Sequence, residues 1–93
     1  MKPKWKKRRL EFTGQDEHRL RRGDLTLATV GPVEGRWYFH ALVPGGVSVN
    51  TLGRVLSGEG GPRTWADPEQ AKDAAAAWVA MAERLASEAR AAT

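Results

Sequence analysis

The chain has 93 residues, enough for one small domain, and without cysteine it has neither disulfides nor thiolate metal sites to hold it. Net charge is +4, unevenly placed. Residues 1–22 hold nine of the fifteen Lys and Arg and three of the eleven acids, so that segment carries +6 and the remainder −2. Such asymmetry marks a segment that meets a polyanion, and no apolar helical face accompanies it to suggest a lipid surface. The alanine-rich apolar stretch Ala74–Ala80 falls far short of a bilayer span, even extended to Ala82, and the charged start is followed by no apolar stretch of secretory type. A cytoplasmic, nucleoid-accessible protein is expected.

Residues 1–9 (MKPKWKKRR) carry much like charge and little apolar surface, which predicts a mobile basic arm ahead of a single domain over residues 10–93. Leu10–Thr13 alternates briefly and offers a short strand. Gly14–Gly23 is polar and reads as a loop or one helical turn. Asp24–Val30 is rich in β-branched residues and predicts a strand. The segment GPVEG, residues 31–35, has the length of a hairpin turn. In Arg36–Val43 the two-residue period is sharp: Trp37, Phe39, Ala41 and Val43 share one face, and Arg36, Tyr38, His40 and Leu42 the other.

Beyond Pro44-Gly45-Gly46, Val47–Leu56 is a third strand or an extended connection, Ser57–Pro62 (SGEGGP) a glycine-rich loop, and Arg63–Ala66 an edge strand. Asp67-Pro68-Glu69-Gln70 then supplies a capping Asp, a first-turn Pro and a Gln three residues after the cap, predicting a helix over about 67–91. Ala71, Ala74, Ala75, Trp78, Ala82, Leu85 and Ala89 fall on one face at helical spacing. Trp78 and Leu85 are the expected bulky core anchors. The predicted class is α+β: a three-stranded antiparallel sheet, four-stranded if Leu10–Thr13 joins it, packed on one C-terminal helix.

Chemistry-bearing constellations are sparse. His18 and His40 lack metal-ligand spacing, there is no nucleophile–base order, and SGEGGP is not followed by the Lys and Ser/Thr of a phosphate loop. The tripeptide Arg22-Gly23-Asp24 is a chance match to an adhesion motif. No enzyme, metal or cofactor is expected.

A nucleic-acid site has better support. Lys4, Lys6, Lys7, Arg8 and Arg9 can neutralise phosphates while Trp5 stacks on a base, and Arg19, Arg21 and Arg22 extend the patch if they lie near the arm. The competing readings of the arm are a solvated end or a localisation signal.

The order of strands and helix, with Gly35-Arg36-Trp37 opening a strand, Trp65 ending the last one, and Glu69, Ala71, Ala74, Ala75 and Ala77 starting an alanine-rich helix, resembles two DNA-binding families. These are the plant ethylene-response-factor (APETALA-type) domain and the arm-binding domain of tyrosine recombinases. The resemblance covers roughly residues 24–80. It implies a sheet face that reads DNA through Arg36, Tyr38, His40 and Arg63, hence DNA ahead of RNA. Residues 24–66 nevertheless sum to zero charge, which leaves the affinity to the arm and the face to orient. The alternative is a protein-interaction or accessory domain of the phage or mobile-element kind, with a protein partner and no readout. A structural subunit whose arm touches packaged nucleic acid is a third class.

Overall fold

A computed structural model describes residues 2–11, 14–43, 48–51 and 64–92. Among them, five strands form one antiparallel sheet and one long helix lies across it. The strands are β1 (Lys4–Arg9), β2 (Asp16–Arg22), β3 (Leu25–Val33), β4 (Arg36–Leu42) and β5 (Ser48–Asn50), and the helix is α1 (Pro68–Ala92). The strands lie side by side in chain order. The α+β class is as expected; the strand count is higher.

Both additional strands come from the basic quarter of the chain. The expected mobile arm is instead edge strand β1, paired along its length to β2 from Lys4 opposite Arg21 to Arg9 opposite Asp16. The expected loop over residues 14–23 is largely β2. Two backbone bonds close the turn between them, Leu10 N–H to the Gln15 carbonyl (2.8 Å) and Gly14 N–H to the Leu10 carbonyl (2.9 Å). Leu10 therefore turns the chain and opens no strand of its own; Phe12 and Thr13 lie outside the described residues. Pairing with β2 satisfies one edge of a chain too charged to fold alone, and Trp5 gives it an apolar contact with the core.

The later hairpin is close to expectation, with a shorter turn. Gly31, Pro32 and Val33 continue β3 opposite Tyr38, Trp37 and Arg36, leaving Glu34-Gly35 as the two-residue turn. Both have positive φ (48° and 78°), the combination that matches the twist of the flanking strands. Pro32 is tolerated because β2 does not pair with β3 beyond Val30, so no ladder bond needs its missing N–H.

The free edge of β4 is satisfied piecewise. β5 pairs with His40–Leu42, and the Thr51 hydroxyl accepts from Phe39 N–H and donates to Phe39 C=O. Trp65 exchanges two backbone bonds with Trp37 (2.9 and 2.8 Å). Thus the segment expected as an edge strand at 63–66 is a single bridge. Arg63 and the expected loop over 57–62 lie outside the described residues, as do residues 52–56.

Helix α1 starts as its sequence dictates: Asp67 Oδ1 accepts from Gln70 N–H at 2.9 Å. It lies over β3 and β4, and Ala71, Ala75 and Val79 are the buried positions. They meet Leu20, Leu27, Ala28, Val30, Phe39 and Ala41 of the sheet, and Val43 just beyond β4. The small alanines let helix and sheet approach closely. Of the two expected anchors, Trp78 does pack against the core but from the flank and only half-buried, and Leu85 is corrected: it is 53% exposed. For Leu85 the reason is length. A 25-residue helix runs about 37 Å, whereas strands of seven to nine residues span roughly 23–30 Å, so the last turns of α1 overhang the sheet.

Candidate nucleic-acid interface

Strand alternation sorts the basic residues between the two faces of the sheet. The rows that pair Trp5 with Leu20 and Lys7 with His18 face the helix, because Leu20 and His18 are buried and Trp5 packs on the core. The intervening rows, Lys4 opposite Arg21, Lys6 opposite Arg19 and Arg8 opposite Glu17, project from the outer face. Continuing across the sheet, Arg21 pairs with Thr26, Arg19 with Thr29 and Thr29 with His40. Lys4, Lys6, Arg8, Arg19, Arg21, Tyr38 and His40 therefore share one surface.

Within that surface, two cations are held by neighbouring groups. Arg19 Nε donates to Glu17 Oε1 at 2.7 Å, and an Arg21 guanidinium nitrogen donates to the Asp24 carbonyl at 3.0 Å. Lys4, Lys6 and Arg8 are exposed on β1. Tyr38 lies against Gly31, where an added Cβ would meet Tyr38 Cε1 at 3.0 Å; the missing side chain is what lets the ring lie flat there.

The other expected site residues serve elsewhere. Trp5 faces the helix with the Lys72 ammonium 5.3 Å from its ring centroid, so it offers no stacking platform on the outer face. Lys7 and Arg9 occupy the same helix-side rows. Arg22 turns to α1 and makes a two-pronged ion pair with Glu83 (2.8 and 3.2 Å), tying the end of β2 to the helix. Arg36 donates to the Thr64 hydroxyl (2.7 Å) and carbonyl (3.1 Å), strapping the segment before Trp65 onto β4.

His18 is a buried residue that sequence reading did not single out for packing. Its ring meets Trp37 edge-on at a centroid distance of 5.9 Å, and its Nδ1 has no hydrogen-bond partner among the described residues. Burial first, and the Lys72 ammonium second, push its pKa below the ordinary imidazole value. Its alternation with Leu20 in EHRLR was the available signal.

Thr26 and Thr29, also unnoticed in the sequence, rim a hollow of about 200 Å³ on the outer face together with His40 and Leu42. Among the described residues, no group of His, Cys, Asp or Glu side chains is placed to hold a metal ion, and no helix is long and apolar enough to cross a membrane. No protein family, curated protein or solved structure matches the chain.

Proposed function

We propose that the chain is a nucleic-acid-binding module, with DNA its first partner, that lays a phosphate backbone along β1 and β2 and orients it with the rest of the outer face. One observation carries the reading: Lys4 stands directly opposite Arg21, and Lys6 directly opposite Arg19. Like charges facing each other across a ladder destabilise a sheet. Glu17 offsets part of the Arg19 charge, but both pairs, in successive rows of the outer face, become favourable once a polyanion lies over them, because each neutralised phosphate also releases a condensed counterion. Alternate residues along a strand are roughly 6.5 Å apart, which puts Lys4, Lys6 and Arg8 in a row able to follow one backbone. The sheet replaces the arm-plus-face arrangement expected from sequence: grip and orientation belong to one surface. The test is a mobility-shift series on duplex and single-stranded DNA at several salt concentrations. Binding that weakens steeply with salt supports the reading; no binding at low salt rejects it.

A second reading, a protein-interaction module, is favoured by Met81 and Leu85. They are exposed one helical turn apart on the overhanging part of α1. Replacing both with Ser should abolish capture of a protein partner on that reading, and leave nucleic-acid affinity as it was on the first.

A further inference from the structure

We propose that the hollow on the outer face seats an unpaired base of a single-stranded nucleic acid whose phosphates lie on β1 and β2. The inference rests on the nucleic-acid reading above and names the form of its ligand.

The hollow exists because of a register shift. Leu20 pairs with Ala28 and Arg21 with Thr26, so Leu27 is an extra residue in β3, a β-bulge. Leu27 and Ala28 are both buried toward the helix. Two successive residues pointing inward leave no side chain between Thr26 and Thr29 on the outer face. That gap is the hollow, floored by the bulged backbone and walled by His40 and Leu42. Bulges commonly re-aim side chains beside functional sites.

Its chemistry suits the edge and flat side of a base. Two threonine hydroxyls and an imidazole both donate and accept hydrogen bonds, and Leu42, 47% exposed, gives an apolar wall. No carboxylate faces out from β3 to β5, whose outward residues include Thr26, Thr29, Tyr38, His40, Leu42, Ser48 and Asn50. β3 is one strand beyond β2 and two beyond β1, so the hollow lies roughly 5–10 Å to the side of the cation rows. That offset lets a sugar bridge a phosphate on the cations and a base in the hollow. A base paired and stacked inside a duplex cannot enter a recess on a sheet, whereas an unpaired one splays out freely. With Trp5 turned to the helix, the grip on the base comes from edge contacts and shape, so its contribution is modest.

Fluorescence anisotropy with three labelled probes of equal length tests this: oligothymidylate, an abasic deoxyribose-phosphate strand and a duplex. The wild type should bind oligothymidylate about three- to tenfold tighter than the abasic strand, the worth of one or two net hydrogen bonds. His40→Ala, at an exposed position, and the near-isosteric Thr29→Val should each bring that ratio toward one, with circular dichroism unchanged. Oligouridylate in place of oligothymidylate distinguishes an RNA from a DNA source for the base. Equal affinity for base-bearing and abasic strands, tighter binding of the duplex, or variants that keep the wild-type ratio would overturn the proposal while leaving the backbone-binding reading intact. Failure of all probes to bind would overturn both.

Discussion

Replacing Lys4, Lys6 and Arg8 together with Gln removes the three exposed outer-face cations of β1 and leaves Arg19 and Arg21 on β2. If all five touch phosphates of a single strand, log Kd against log salt has a slope of about 3.5, at roughly 0.7 per contact. With Arg19 held by Glu17 and Arg21 by the Asp24 carbonyl, the β1 row alone gives about 2. A fourfold rise in salt should therefore weaken wild-type binding by about 15- to 130-fold. The triple variant should lose about 2 from the slope on single strands and about 2.7 on duplex. Anisotropy titrations across a sodium chloride series give the slope directly. A urea melt of the same variant supplies the second arm. The two facing like-charge pairs are relieved and the Arg8 row opposite Glu17 is lost, so the midpoint should stay level or rise slightly. A slope unchanged by the substitution would refute the phosphate role of β1. A large fall in the urea midpoint would show that these cations support the fold instead.

Three further outcomes follow from packing and protonation. Leu27→Ala should cost about 2–5 kcal/mol in urea melts, since Leu27 is fully buried at the bulge, and Trp78→Ala should cost less; the reverse order would mean α1 is rotated about its axis. Asp67→Ala should cost about 1 kcal/mol by leaving the Gln70 N–H uncapped, with no loss of nucleic-acid affinity. Burial and Lys72 outweigh the opposing carboxylates of Asp16 and Glu69 and hold the His18 pKa below its unfolded value of about 6.5, so the unfolded chain binds the proton first as pH falls. Stability should therefore decline from about pH 6.5 downward until the folded value is passed. His18→Gln should flatten that decline in urea midpoints, and an unaltered pH profile would refute the assignment.

Elements whose local signals agree with their packing were legible in the sequence. The start of α1 rests on Asp67 and Pro68 regardless of what the helix packs on, and the faces of β4 follow from alternation, with Phe39, Ala41 and Val43 buried. β1 escaped because its helix-side row, Trp5, Lys7 and Arg9, is itself mostly charged: at a sheet edge a strand needs little burial, so alternation vanishes. β2 carried a readable pattern in His18 and Leu20, followed by Gly23 at φ 61° in a two-residue turn, but its arginines masked it. The helix face was misjudged by giving weight to side-chain size. Trp78 and Leu85 are large, yet the line of closest approach selects the small side chains of Ala71 and Ala75. As for the candidate site, its five outer-face cations are readable from charge density alone. Their division between the two faces required the register, and the hollow required the bulge, which no residue type announces.

The position of β1 at the margin of the sheet has a consequence for how copies of the protein meet one another. Among the described residues nothing pairs with the outer edge of β1, and such a strand presents backbone donors and acceptors on which a second strand can polymerise. Here five of its six side chains are cationic, so edge-to-edge docking would bring two such ladders within hydrogen-bonding distance. Coulomb repulsion opposes that contact in dilute buffer and is screened as ions are added, since the Debye length shrinks from about 30 Å at 0.01 M to about 10 Å at 0.1 M. The colloidal behaviour of this chain thus runs against common laboratory habit: added salt removes the guard from its open margin, and low ionic strength keeps neighbouring molecules apart.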